Sequence, residues 1–378
     1  MCKAWGTGGE LSYSRAVNAS RIPPAKLVRV IERVRHVLGM AHQRSAPPAG
    51  AMMEMILWAW RVQGISVAAE LKVADALSDG PLTADDLARR VGADPDALAR
   101  LMRALISEGI FKRRRDGRFA LNALGETLRS DAPMSMAGMA RMVGHPSYRE
   151  HWSGLVDAAR TGEAYPPKLR GMGSWEWLET QPEFAAVFND AMTSVSDFAV
   201  APVVAAYDFS PFSTIVDVGG GHGRLLSAIV AATPGARGVL YDLPAVVEGA
   251  PAFLTKYGVA ERVQVIGGSF FDAAPCGGDA YVMKNVIHDW PDAEALTILK
   301  NVRKAAKPGS TLLLVEFVIP DHDRGFIGKW ADMEMLVQVA ARERTADEYR
   351  NLHEQASFQM TRVVPTAGPI SLVEGRAV

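Results

Sequence analysis

The sequence predicts an α/β protein with a doubly wound, mostly parallel sheet in its second half and a helical first half that contains a winged helix. Three observations carry this expectation. After about residue 208, short β-branched runs alternate with amphipathic stretches, the sequence form of strands joined by crossover helices. The first of these runs breaks into "IVDVGGGHGR", Ile215 to Arg224, where four glycines in five residues mark a strand handing over to a helix. Upstream, "GPLTADDLARRVGADPDALARLMRALISEGIFKRRRDGRFALN" reads as helix, turn, helix and an Asp-Gly hairpin.

With 378 residues, 48% hydrophobic and 22% charged, the chain has the composition of an ordinary globular protein of two or three domains. Its 41 basic and 42 acidic residues leave a formal net charge of -1, so no whole-molecule field draws it to nucleic acid or to an anionic membrane. Cys2 and Cys276 stand far apart with no Cys/His cluster near them, which supports neither a disulfide framework nor a zinc site and suits a reducing compartment. The first fifty residues show no signal-peptide pattern, and the longest apolar run, 312–319, contains Glu316 and is too short to span a bilayer. A cytoplasmic location is expected.

Residues 1–50 predict a flexible extension with one amphipathic helix. Residues 1–23 lack periodicity, and "RSAPPAGA" near Pro47 breaks the chain again. Between these stretches Leu27, Val30, Ile31, Val34, Val37 and Leu38 recur at helical spacing beside a basic, solvated face. Residues 51–134 predict a winged-helix module. A helix runs from 52 to about 77, Thr83 with Asp86 resembles a capping box, and Asp94 precedes Pro95 as N-cap and N1. Such a module invites a DNA-binding reading. Yet residues 70–122 hold ten Lys and Arg against nine Asp and Glu, and the helix after Pro95 offers only Arg100 and Arg103. A groove reader must neutralise several phosphates, so dimerisation or packing is expected instead.

Residues 135–207 predict helices rich in Met and aromatic side chains, mostly core, with a subset suited to line an apolar pocket for a planar molecule. Residues 208–378 predict the sheet domain, with strands at 214–218, 238–241, 263–266, 280–283 and 311–318 and a closing hairpin from runs near 360–364 and 370–374.

Spacing excludes two ligands for the glycine turn. Counting from Gly219 gives Gly221 and then Arg224, and from Gly221 gives Gly223 and then Leu226, so the dinucleotide pattern G-x-G-x-x-G fails. There is no P-loop pattern either. What remains is a ligand with an adenosine but no pyrophosphate, a description that S-adenosylmethionine fits. Asp242, 19 residues beyond Gly223 at the end of the second strand, is placed to accept both ribose hydroxyls, although an acid there serves NAD equally. In "GGSFFD", Ser269 and Phe270 stand where an adenine edge and face would lie, and an ordinary strand-end loop explains that stretch as well.

Together "VDVGGGHG", "YDLP", "GGSFFD", "MKNVIHDWPD", "LLLVEFVIP" and "RERT" resemble, in order and spacing, the plant- and bacterial-type small-molecule O-methyltransferases, the family of the caffeic acid, acetylserotonin and mitomycin-type enzymes. The similarity covers roughly residues 50–376. It implies a Rossmann-like class I methyltransferase domain behind an N-terminal helical, winged-helix dimerisation domain, and a homodimer using S-adenosylmethionine without a metal. By resemblance Gly219, Gly221, Asp242, Ser269, Phe270 and Lys284 hold the donor. Ser269 departs from the Asp that many members carry, which leaves the adenine contact weaker or rearranged. His288 matches the catalytic base and Glu316 and Glu343 the two acids flanking it, while Trp152, Phe188, Met192 and Met335 fall where similar enzymes line the acceptor pocket. Asp332 reads either as a substrate contact or as an exposed helix position.

The residues suit that chemistry. Glu316 lies within an apolar strand, a costly place for a carboxylate without a partner. The expected partner is the ring N–H of His288, whose tautomer it would fix. Glu343 precedes a Thr345–Glu348 capping box and would reach the same site from a helix entrance. The expected reaction is methylation of a hydroxyl on a small, aromatic or polyketide-like molecule, with no nucleic-acid or membrane partner. Two other classes stay open: a donor-binding relative with hydroxylase or decarboxylase chemistry, against which His288 counts, and a DNA-binding regulator, against which the charge balance counts.

Overall fold

The computed structural model describes residues 22–378, so the part of the expected flexible extension before Ile22 lies outside it. The chain divides into two compact units, one built from 32–198 with 330–342 and the other from 199–329 with 343–378 and the first described residues. Among the described residues no helix is long and apolar enough to cross a membrane.

The first helix, Ala25–Arg44, forms as its periodicity predicts, but none of its residues is buried. The helix expected from 52 to 77 is broken into Pro48–Ile56, Trp58–Glu70 and Val73–Ala76. The second break falls at Lys72, which adopts a left-handed φ of 52° and redirects the chain so that Val73, Ala74 and Leu77 enter the core. The winged helix follows. Thr83 accepts from Asp86 N at 3.2 Å to start Ala84–Val91, Gly92 ends it at φ 69°, and Asp94 accepts from Ala97 N at 2.8 Å to start Pro95–Ser107. Strands β1 (Phe111–Arg113) and β2 (Phe119–Leu121) pair antiparallel around the Asp116–Gly117 turn. Leu87, Leu98, Met102, Phe111 and Phe119 fill the core beneath them. Arg89 and Arg90 pair with Asp86 and Asp79, and Arg118 with Asp116, which leaves fewer cations for a phosphate backbone.

In the other unit the predicted strands appear within two residues of their expected ends: β3 (Thr214–Val218), β4 (Arg237–Asp242), β5 (Val263–Gly267), β6 (Ala280–Lys284) and β7 (Thr311–Ile319), followed by the short β8 (Arg344–Thr345) and the hairpin β9 (Phe358–Pro365) and β10 (Ile370–Ala377). The order is β5-β4-β3-β6-β7-β10-β9, with β8 beside β7. All neighbours are parallel as far as β8, whereas β10 runs antiparallel between β7 and β9. Two hydrophobic clusters pack on the sheet, one around Ile229, Leu240 and Leu313 and one around Tyr281, Ile298 and Leu314. β-branched runs buried on both faces are what a parallel sheet requires. The strand order reverses between β3 and β6, and in open sheets a ligand binds at the carboxyl ends flanking such a switch.

Candidate active site

The glycine turn leaves β3 at that switch point. Gly219, Gly221 and Gly223 have φ of 70°, 58° and 82°, values that side chains rarely tolerate. Gly220 is fixed for another reason: a Cβ there would stand 2.5 Å from Leu240 Cδ1 and 2.7 Å from the carboxyl of Asp217. Gly220→Ala is therefore expected to destabilise the fold by about 1–3 kcal/mol through overpacking, read as a lower thermal midpoint, with weaker donor binding by calorimetry. An unchanged midpoint would show that the turn relaxes freely.

The six predicted donor residues share the sheet unit. Asp242, at the end of β4, accepts from Gly221 N at 2.8 Å and from Leu243 N at 2.7 Å, which pins the turn to the neighbouring strand. Each carboxylate oxygen retains a second acceptor site, enough for a pair of ribose hydroxyls. Ser269 accepts from Phe271 N at 3.2 Å, and Phe270 packs edge-on to Trp290 with ring centroids 6.1 Å apart. Phe270 also lies 3.6 Å from the Cβ position of Gly219, so one aromatic face borders the turn. Lys284 closes β6, and its charge acts on Asp217 and Asp289. Asp217, buried beneath the turn with neither oxygen hydrogen-bonded, is raised by burial to about 7. Positive-φ backbone, an acid at the second strand end and a half-buried aromatic beside the turn suit an adenosyl ligand with a small polar tail.

Next to the turn stands the predicted catalytic group. A Cβ on Gly219 would lie 2.8 Å from Val286 Cγ2, two residues before His288 in the 3₁₀ turn Ile287–Asp289. Glu343 Oε1 lies 2.7 Å from His288 Nδ1, and both residues are buried. The role expected of Glu316 is thus filled by Glu343. Glu316 Oε1 instead accepts from Val286 N at 3.0 Å and Ile287 N at 2.9 Å, holding the turn rather than the ring. The reason is register: a carboxylate projecting from β7 meets the backbone N–H groups leaving β6, while the ring reaches past them to the segment before β8.

Burial alone would lower the proton affinity of His288, but the carboxylates of Asp289, Glu316 and Glu343 outweigh it and raise the pKa to about 10. Burial raises Asp289 to about 6 against the pull of His288, and it raises Glu316 too. With the Nδ1 proton directed at Glu343, the free nitrogen is Nε2, 3.5 Å from Asp289 Oδ1. His288, Glu316 and Glu343 offer three ligand atoms within 4.8 Å of one another. The 2.7 Å separation of His288 Nδ1 and Glu343 Oε1 has the length of a direct hydrogen bond between them.

The predicted acceptor residues Trp152, Phe188, Met192, Asp332 and Met335 all fall in the helical unit. Trp152 Nε1 donates to Glu334 at 2.5 Å, which ties it to the helix Gly328–Val339 that carries Asp332 and Met335. Phe188 packs edge-on to Trp175 at 6.0 Å, and Met192 is exposed. Sequence reasoning passed over Glu334, whose pKa burial raises, and its hydrogen-bonding neighbour Tyr148. An acid among Met335, Leu336 and Val337 was the available signal, the same one that exposed Glu316. It also passed over Asp289 and Arg344, which lie inside motifs it quoted.

An O-methyltransferase domain model matches residues 152–359, and an O-methyltransferase dimerisation domain model matches 53–131. The chain is 39% identical to the phenazine O-methyltransferase PhzM of Lysobacter antibioticus, over 88% of this chain and 98% of that one. It is 38% identical to the mitomycin biosynthesis 6-O-methyltransferase of Streptomyces lavendulae, over 85% and 93%. Among solved structures it superposes on LaPhzM with a TM-score of 0.83 at 39% identity, covering 88% of this chain and 100% of that one. On NcsB1 from neocarzinostatin biosynthesis, solved with S-adenosylmethionine and 2-hydroxy-5-methyl naphthoic acid, the TM-score is 0.71 at 32% identity, covering 84% and 96%. With both domain models matched and these relatives covered nearly end to end, the chain belongs to the S-adenosylmethionine-dependent O-methyltransferase family.

Proposed function

We propose that this enzyme methylates a hydroxyl on a small aromatic molecule, with His288 as general base, Glu343 orienting its ring and Glu316 holding its turn. The observation that carries this reading is the buried 2.7 Å His288–Glu343 pair beside the glycine turn. When bound, S-adenosylmethionine supplies a methyl group on a cationic sulfur. Gly219, Gly221, Asp242, Ser269, Phe270 and Lys284 bind it. Trp152, Phe188, Met192, Asp332 and Met335 contact the acceptor. As the oxygen–carbon bond forms and the sulfur–carbon bond breaks, the acceptor's proton passes to His288 Nε2. A phenol has a pKa near ~10, so a His288 raised to about 10 matches it in proton affinity; only the deprotonated fraction of His288 takes the proton, and the reaction is expected to quicken as pH rises toward that value. Holding acceptor and donor in line contributes ~7–11 kcal/mol of the lowered barrier, more than the base itself.

Relatives named for phenazine, 3-amino-4-hydroxybenzoate and naphthoate methylation support an aromatic acceptor. The dimerisation model over 53–131 supports a homodimer, and Met53, Ile56 and Trp60 are exposed at its start. With its one described cysteine free, the chain suits the cytoplasm. The test is methyl transfer from labelled donor to a panel of phenols, hydroxynaphthoates and arylamines. Label on phenolic oxygen is the expected result, label on nitrogen alone would move the assignment to N-methylation, and no transfer with intact donor binding would sink it.

A further inference from the structure

The 3₁₀ turn that carries His288 is held from two sides. On its donor side Glu316 takes the N–H groups of Val286 and Ile287. On its acceptor side stands Arg344, whose side chain is fully buried. Its Nη1 donates to Ile287 O at 2.9 Å and its Nη2 to Trp290 O at 2.9 Å, so one guanidinium spans the carbonyls on either side of the His288–Asp289 pair. Asp292, exposed at the start of the helix Asp292–Ala305, anchors that guanidinium through Nη2 at 2.7 Å and Nε at 3.1 Å. The backbone around Arg344 is itself fixed, because β8 pairs with β7 at Val318 and Glu343 immediately before it contacts the imidazole.

We propose that Arg344 is a positioning residue for methyl transfer: by clamping the carbonyls of Ile287 and Trp290 it sets the direction of the free His288 nitrogen. This rests on the reading of His288 as the base. Three features favour positioning over plain stabilisation. A buried guanidinium is expensive to desolvate, and well-packed apolar side chains stabilise a core at least as well. Arginine's planar fork fixes two acceptors at a set separation, which an ammonium on a flexible stem does not. Both acceptors belong to the catalytic turn, not to the surrounding core.

The experiment is a double-mutant cycle in the full-length enzyme, with Arg344→Lys and His288→Gln alone and together. Arg344→Lys, able to reach only one carbonyl, is expected to lower kcat about 10–100-fold, with KM for the acceptor and affinity for S-adenosylhomocysteine changed less than about threefold. In the His288→Gln background the same substitution is expected to cost almost nothing, because the group it positions is gone. Equal losses in both backgrounds would overturn the proposal and leave Arg344 a structural residue. So would a parental kcat in Arg344→Lys. A His288→Gln enzyme with parental activity would instead defeat the base assignment and this inference with it. Should Arg344→Lys fail to fold, Asp292→Asn at the exposed anchor replaces it in the cycle, with a several-fold loss expected only where His288 is present.

Discussion

His288→Gln lowers kcat for a phenolic acceptor by about 10²–10⁴-fold, the range typical of a positioned general base, while S-adenosylhomocysteine still binds with near-parental affinity. Donor binding survives because His288 does not belong to the glycine turn or to the Asp242 anchor. The residual rate carries a further signature. Without an imidazole only phenolate attacks, so the rate of the variant climbs about tenfold per pH unit up to the acceptor's own pKa near ~10. Acceptors of lower pKa, such as nitrophenols, then recover most of the loss. Measuring both enzymes across a series of substituted phenols reads this directly, and a loss independent of acceptor pKa would show that His288 does not handle the proton.

The local grammar of the chain was legible in advance. The glycine turn, the Thr83, Asp94 and Thr345 caps, the Asp-Gly wing and the five parallel strands all follow from short patterns whose physics is contained within a few residues. The breaks at Leu57 and Lys72 were not, because the helical periodicity continues through them and only burial of Val73 and Leu77 forces the change of direction. In the site, Glu316 was recognisable as a carboxylate that needs a partner, but which partner was decided by the β6–β7 register and the 3₁₀ turn, neither of which is written in the motif itself. Glu343 was expected beside His288 from the RERT motif and its place before a helix entrance, but its polar sequence context gave no sign that it is buried against the ring. Glu334 carried a weaker form of the Glu316 signal, an acid followed by Met335, Leu336 and Val337, because a helix can turn such an acid to solvent where a buried strand cannot.

The buried partner of His288 sets the second large effect. Glu343→Gln keeps an oxygen able to accept from His288 Nδ1 but removes one of the three negative charges that hold the imidazole's pKa near 10. The sign follows: a carboxylate favours the imidazolium, so its neutralisation lowers the His288 pKa toward the ordinary ~6.5. The acid limb of the kcat–pH profile therefore moves to lower pH, because deprotonated Nε2 becomes available sooner. At the same time the base weakens, and proton transfer from a phenol loses driving force. The two consequences act in different pH ranges. Around pH 6 the larger fraction of free base offsets the weaker one, and the variant stays within about tenfold of the parent; by pH 9–10 the parent's base is also free and the variant falls about 10²-fold behind. A Glu316→Gln control should move the limb the same way, since Glu316 also raises His288, but with an added loss of thermal stability, because its carboxylate holds two backbone N–H groups of the turn. Profiles of parent and Glu343→Gln that fall in parallel at every pH would mean that the charge of Glu343 does not reach the proton being moved, and that its contact with the ring is a matter of packing alone.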